Sequence, residues 1–288
     1  MKKIIKKIIN YYPGGSFIYL FIPIYNFIKS EFLLNKKLKN SIKLLKNNNL
    51  KPIFLDVGAA GVGSQTWSYF SSKNIVKQIL IDVNNKWGNR YNIINNAIGD
   101  FDGECSFYET RHPGCSSCLE PNFKETEKYH TKNYFEVKNV KSIHIKRFDT
   151  LVKENICDVP HYVKMDVQGY EYQCLKGFGK LLNKVLCLEL ETQFFEMYKN
   201  QKCFNELNDF LVSEGFYLRK ISEVNWPSNK SIKTLNYIAE ADVFYSRIPS
   251  NSSEKLLIEF WEFVCGIKQN DFYETNHEQL SRIDSIPI

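Results

Sequence analysis

Carboxylates recur at the ends of apolar runs in this chain, where a buried strand would ordinarily exclude charge. Asp56 lies near the end of "FLDVG", Asp82 of "LIDV" and Asp166 of "VKMDV", while Glu189 and Glu191 alternate through "CLELE". In open α/β sheets, ligands lie outside the carboxyl ends of the strands, near the point where strand order reverses. Acids crowded on that rim repel one another unless a ligand, a cation or a proton uses them. Pairing with lysines such as Lys164 is the plainer account of any one acid. Four strands carrying them suggest a site.

The first of these runs opens into "DVGAAGVG". Glycines there let the backbone approach a ligand closely. The order Gly58-Ala59-Ala60-Gly61-Val62-Gly63 is neither the G-x-G-x-x-G of a dinucleotide fingerprint nor a phosphate loop ending in G-K-S/T. Asp56 precedes the first glycine by two residues, and Asp82, ending the next run, is placed to accept hydrogen bonds from a ribose diol. This combination fits S-adenosylmethionine better than NAD, because that ligand has an ammonium to face acids and no pyrophosphate to cradle. A nucleotide-dependent sugar dehydrogenase is the rival enzyme.

The elements that must position these groups begin at Lys51. "PIFLDVG", "VKQILIDV", "YNIINNAIGD", "ECSFYE", "VKSIHIKRF", "VKMDV", "KVLCLELE", "YLRKIS" and "NYIAEADVFYSRI" read as strands. Helical patterns alternate with several of them. In "KCFNELNDFLVSEGF", Phe204, Leu207 and Leu211 share one face and Gly215 stands where a helix would stop. Asp102-Gly103 predicts a hairpin turn between "YNIINNAIGD" and "ECSFYE". The polar stretch "ETRHPGCSSCLEPNFKETEKYHTKN" reads as a long loop, and such loops inside compact domains are usually functional. The whole alternation predicts an α/β sheet covered on both faces, its last two strands antiparallel. Residues 1–50 are expected as a helical extension, 51–248 as the principal domain and 249–288 as a C-terminal helical extension. Asn251 and Glu254 would cap the helix there, and the aromatics of "LLIEFWEFVCGI" would pack.

Composition narrows the classes. At 43% hydrophobic and 15% aromatic residues, the chain has ample material for a core. A net charge of +6 is too dispersed for the basic stripe that nucleic acid requires. Eight cysteines scattered through strand and helix patterns are not a secreted disulfide framework, so reduced thiols and a cytoplasmic location are expected. The run from Ile8 to Ile28 is uncharged but broken by Pro13, Gly14, Gly15 and Pro23. A helix lying over the domain is the preferred reading; with four lysines before the run, peripheral contact with an anionic membrane surface is the alternative.

"VKMDVQGYEYQCLKGF" joins a short strand to a helix start, with Gly169 at the turn and Tyr170, Cys174 and Phe178 four residues apart. This segment resembles the most diagnostic stretch of the FkbM methyltransferases. "LDVGAAGVGS" is similar to that family's cofactor loop, "NAIGDFDGECSFY" to its third segment, "LELETQFFEMYKNQKCFNEL" to its later strand-helix pair, and "EADVFYSR" to its final strand. The chain departs from the family at Ala60-Gly61-Val62-Gly63, where members usually have Asn-x-Gly. The resemblance implies a class I, Rossmann-like fold and S-adenosylmethionine-dependent methyl transfer, usually to oxygen. The acceptor it implies is a sugar or hydroxylated metabolite, a small molecule or glycan rather than nucleic acid.

On that reading, Asp56, Gly58, Ala59, Gly61 and Asp82 bind the cofactor, with Asn96 and Ala97 near its adenine. Asp166 lies where methyl donor and acceptor should meet, as general base, ammonium partner or metal ligand; Glu191 is the second catalytic candidate. A divalent cation stays open, with no metal ligand assigned. His112, Cys115 and Cys118 could begin a zinc site, but lack a second pair at a usual interval; an acceptor-side loop is preferred. Glu171 complements a helix start or supports the site. The rival outside enzymes is an inactive Rossmann-like module on a membrane-associated scaffold, for which acids at four strand ends would have no use.

Overall fold

The structure, a computed structural model, describes residues 36–60, 63–83, 93–129, 131–227 and 236–267. Gly61 and the lysine-led N-terminal segment, with both readings of it, lie outside the described residues. Among the described residues no helix is long and apolar enough to cross a membrane.

Seven helices and ten strands are described in chain order: α1 (Lys36–Asn47), β1 (Ile53–Val57), α2 (Gln65–Ser72), β2 (Lys77–Asp82), β3 (Ile93–Asn95), β4 (Ala97–Ile98), β5 (Gly103–Thr110), α3 (Phe123–Thr126), β6 (Val137–Lys146), α4 (Phe148–Lys153), β7 (Tyr162–Met165), α5 (Glu171–Gly177), β8 (Cys187–Gln193), α6 (Phe204–Ser213), β9 (Tyr217–Pro227), β10 (Asn236–Ser246) and α7 (Ser252–Val264). The principal sheet has the order β3-β2-β1-β7-β8-β10-β9. Its first five strands are mutually parallel, and β10 and β9 complete it antiparallel. This is the expected Rossmann-like α/β fold with an antiparallel end. The order reverses between β1 and β7, which places the ligand crevice beyond their carboxyl ends.

Register sorts the side chains into faces, because successive residues of a strand point to opposite sides. On one face Leu55, Val57, Val163, Met165, Leu188 and Leu190 pack with Phe148, Leu175, Phe178, Leu207 and Leu211 of α4 to α6 and the turn after α5. On the other, Phe54, Tyr162 and Cys187 form a row in register. Trp67 of α2 stacks on Phe54 at 4.5 Å, and Tyr162 donates its hydroxyl to the Leu257 carbonyl at 2.7 Å. Phe260 and Trp261 of α7 and Leu38 and Leu45 of α1 join the same cluster. Each such side chain contributes roughly 1.5–3 kcal/mol by burial. Helices α1 and α7, on either flank of the expected 51–248 unit, thus cover the apolar part of this face. Asn251 caps α7 as expected, its side-chain oxygen accepting from the Glu254 N–H at 2.9 Å.

Two local expectations are corrected. "YNIINNAIGD" is two strands: β3 pairs with β2 in the principal sheet, and after Asn96 the chain enters a second sheet of order β4-β6-β5. The hairpin expected at Asp102-Gly103 does not form, because β6 lies between β4 and β5. Asp102 instead accepts from the Arg147 backbone N–H at 2.7 Å and the Thr150 hydroxyl at 2.8 Å. That fastens the turn to the start of α4.

Candidate functional site

A cleft of about 610 Å³ opens where β1, β2, β7 and β8 end, walled on its far side by the loop after β5. The glycine turn sets its floor. Gly58 has φ +80°, and a Cβ there would lie 2.1 Å from the Asp166 backbone oxygen, so only glycine lets β1 and β7 converge. The Gly58 and Ala59 N–H groups donate to the Ile81 carbonyl at 3.0 and 3.3 Å. Ala60, at φ +46°, donates its N–H to Asp82 Oδ2 at 2.7 Å. Asp82 therefore shapes the loop as well as facing the cleft.

Asp56 has a different place. It is buried behind the turn, with Oδ2 accepting from the Ser64 N–H at 2.8 Å and Oδ1 without a hydrogen-bond partner. Burial raises its pKa, against the pull of the Lys164 ammonium. Register explains this: Asp56, Lys164 and Glu189 form a row across β1, β7 and β8, two residues beyond the aromatic row.

Two residues further along lie Asp166, just past β7, and Glu191 of β8, and one side chain joins them. Gln168 donates from its single amide nitrogen to Asp166 Oδ1 at 3.0 Å and to Glu191 Oε1 at 2.7 Å. Gln168 itself adopts φ +55°. Its carbonyl accepts from the Ser117 hydroxyl at 2.8 Å, and its side-chain oxygen lies 2.9 Å from the Tyr198 hydroxyl. Gln193 donates to the same Glu191 oxygen at 2.8 Å. Glu171 holds the turn from below, accepting from the Val167 and Gly169 N–H groups at 3.0 and 3.3 Å.

Electrostatics divide these acids. Burial, then Asp166, Glu240 and Glu171, pushes the Glu191 carboxyl well above the usual range. Burial likewise lifts Glu171 to about 7 and Glu189 to about 7. Lys164 Nζ stands 3.5 Å from Asp166 Oδ2. Burial works against its charge, but Asp166, Asp56, Glu189 and Asp242 outweigh that and keep it protonated.

The remaining walls differ in character. Ile81, Val83, Ala97, Ile98, Phe107 and Tyr170 make an apolar slot beside Asp82 and Asn96, suited to a flat ring with polar edges. Across the cleft His112 and Tyr134 stack at 4.9 Å. Cys115 Sγ lies 4.0 Å from His112 Nδ1. Burial, followed by Glu240, Glu191 and Asp166, pushes its thiol up to about 12, which disqualifies it as a nucleophile at neutral pH. Cys118 lies nearest Cys105 rather than completing a zinc set with this pair. Among the described residues no group of three or more His, Cys, Asp or Glu side chains could hold a metal ion.

Of the residues expected from sequence, Gly58, Asp82, Asn96, Ala97, Asp166 and Glu191 all line this one cleft. Asp56 and Ala59 build its floor from behind. Sequence reasoning missed Gln168, Glu240, Tyr134 and the apolar slot's Phe107 and Tyr170. The alternation of Glu240 and Asp242 in "EADVF" was the available signal for Glu240; Gln168 carried none beyond standing two residues after Asp166.

A profile of the methyltransferase FkbM domain matches residues 56–218. No curated protein sequence matches the chain. Among solved structures, the chain is similar to the methyltransferase FkbM from Methylobacillus flagellatus KT, at 13% identity and TM-score 0.37, over 67% of this chain and 43% of that one. It is also similar to a candidate RNA methyltransferase from Pyrococcus horikoshii, at 10% identity and TM-score 0.29, over 74% of this chain and 83% of that one. The chain thus spans less than half the length of the Methylobacillus protein.

Proposed function

The chain belongs to the FkbM methyltransferase family, and from that premise we propose that it methylates a hydroxyl of a sugar or hydroxylated metabolite with S-adenosylmethionine. The observation that carries the reading is the Gln168 bridge, which fixes Asp166 and Glu191 together in the cleft that also holds Gly58 and Asp82. The Gly58 turn, Asp82, Asn96 and Ala97 would hold the cofactor, and the apolar slot beside them fits its base. When bound, that cofactor supplies an electrophilic methyl group on a sulfonium.

The chain's own residues supply the rest. Asp166, beside the Lys164 cation, is the acceptor for the hydroxyl proton, which a general base must reach directly or through one water. Glu191, whose Oε1 accepts from two glutamine amides, orients the acceptor. Asp166, Gln168 and Glu191 line the cleft together and offer hydrogen-bonding groups suited to a hydroxyl-rich acceptor. The stacked His112 and Tyr134 offer a face for a sugar ring.

Thermal unfolding of the full chain with S-adenosylhomocysteine beside NAD tests this. A ligand at about one hundred times its Kd stabilises by about 2.7 kcal/mol. A shift with the homocysteine alone supports the methyltransferase. A shift with NAD alone moves the reading to a dehydrogenase, and no shift with either supports an inactive module.

A further inference from the structure

All eight cysteines are free thiols, and two of them face each other. Cys105 lies on β5 and Cys118 in the loop that returns against it, their sulfurs 3.7 Å apart. Backbone hydrogen bonds between Tyr108 and Ser117, at 2.8 and 3.3 Å, hold the two segments in register. The Thr110 N–H also donates to the Ser116 hydroxyl at 3.1 Å. The antiparallel Tyr108–Ser117 bridge sets Cys118 opposite Phe107, so Cys105 is its diagonal neighbour two residues along β5.

What lies between them matters more. Phe107, His112, Pro113, Gly114, Cys115 and Ser116 all line the cleft, and all fall within the stretch that Cys105 and Cys118 would close. Cys118 lines the cleft itself, whereas Cys105 does not. Cys105 is half-buried, at the margin of the main core cluster.

We propose that Cys105 and Cys118 form a thiol-disulfide modification site whose oxidant is a low-molecular-weight disulfide, and whose closure cyclises the 105–118 wall of the cleft. The Cys105 thiolate attacks one sulfur of the reagent and expels the other as a thiolate, giving a mixed disulfide. Cys118 then loses its proton and attacks the Cys105 sulfur, expelling the second reagent thiolate. The protein loses two electrons and two protons, and two reagent thiols are formed. The order of attack follows from place: Cys118 lines the cleft and burial raises its pKa, whereas Cys105 lies outside the lining. Other thiols are poor competitors. Cys174 is buried and donates to the Ile98 carbonyl at 3.1 Å, and burial pushes Cys157 and Cys203 each up to about 11.

Closure must bring the sulfurs to about 2.05 Å. Cys118 is itself a lining residue, so closure alters the cleft wall and cofactor-site affinity should fall; this last consequence alone rests on the proposed function. The full chain is incubated with oxidised glutathione, alkylated, digested and mapped by mass spectrometry. A Cys105–Cys118 linkage is expected, with C118S trapping a stable glutathione adduct on Cys105 and C105S leaving Cys118 reduced. S-adenosylhomocysteine should bind the oxidised chain at least tenfold more weakly, with affinity recovered by dithiothreitol and C105S indifferent to oxidation. Cys105 and Cys118 both remaining alkylatable in the native wild-type chain overturns the site. An oxidised chain that binds as tightly as the reduced one overturns the coupling to the cleft. If the reduced chain does not bind the homocysteine at all, the functional reading fails while the mapped linkage still decides the site.

Discussion

Two rows of side chains lie two residues apart on one face of the principal sheet. Phe54, Tyr162 and Cys187 make the first, Asp56, Lys164 and Glu189 the second. The first is closed over by Trp67, Phe260 and Trp261 and follows the ordinary rule that a sheet buries apolar surface. The second breaks that rule, and its acids are displaced from their usual pKa by burial. The same strands thus spend their amino-terminal halves on stability and their carboxyl ends on a polarised floor beneath the cleft. The boundary between fold and site runs across the strands, not between domains.

Breaking the catalytic end should leave the other intact. Asp166→Asn keeps the shape and one acceptor oxygen but loses the base. Turnover on an identified acceptor should drop about 100- to 10,000-fold, with the unfolding midpoint and S-adenosylhomocysteine affinity nearly unchanged. Near wild-type turnover would remove Asp166 from the mechanism. Chelation separates its roles: activity abolished by EDTA and restored by Mg²⁺ would make the acids cation ligands.

The converse change is Trp261→Ala. Trp261 is 1% exposed and packs against Phe244 at 6.1 Å on the apolar part of the face. Truncation should cost about 3–5 kcal/mol of stability, measured by denaturant unfolding. Cofactor affinity per folded molecule should hold. An equal loss of affinity would mean that the two rows are not separable.

Asp82→Ala acts at the cleft with a smaller effect. It removes a charged acceptor from the ligand and from the Ala60 N–H, and S-adenosylhomocysteine binding should weaken by about 1.5–3 kcal/mol. Calorimetry finding unchanged affinity would rule out the ribose assignment.

Most of the sheet was legible because its strands end in visible punctuation: an acid, then glycine or a polar turn. The α6 stop at Gly215, with φ +82°, and the α7 cap at Asn251 were legible for the same local reason. What failed was non-local. No spacing within "NNAIGD" says that β6, some forty residues later, will insert beside β4. Nor does the apolar stripe of α7 say which strands it covers. The site divides likewise. Strand-end acids stood out by type, but only register separates Asp56, under Lys164, from Asp166, in the cleft. Gln168 is polar, uncharged and in a turn, and its role rests on two partners from different strands.

The ionisation of the second row gives a finer test. Glu189 has a folded pKa of about 7, raised mainly by burial, against about 4.3 in an unfolded chain. The native state therefore holds the proton longer, and this group's contribution is most favourable at low pH and is lost as pH rises through about 7. Glu189→Gln should stabilise the chain at pH 8 by about 1–3 kcal/mol and leave pH 4.5 nearly unchanged. Stability lost at pH 8 would mean that its pairing with Lys164 outweighs its burial.

The smallest effect comes from the opposite edge of the sheet and has the opposite sign. His161 precedes β7, and its Nδ1 accepts the Ile53 N–H at 3.0 Å where β7 starts beside β1. That bond requires a neutral ring with its proton on Nε2. Burial lowers the His161 pKa below its ordinary value of 6.5. The unfolded chain then binds the proton first, so this contribution is complete above about pH 6.5 and is lost as pH falls through that value towards the lower folded pKa. Protonation would set two N–H groups against each other, costing about 1 kcal/mol. His161→Asn offers an amide oxygen to the same N–H without titrating. Stability measured from pH 7.5 to 5.5 should fall less steeply in that variant than in the wild type, whereas Glu189→Gln should change the profile chiefly on its alkaline side. Identical slopes for His161→Asn and the wild type would show that the ring is not the titrating group. The acid sensitivity would then belong to a group outside the second row, whose raised carboxylates gain stability as pH falls, and the two ends of β7 would no longer titrate in opposite directions.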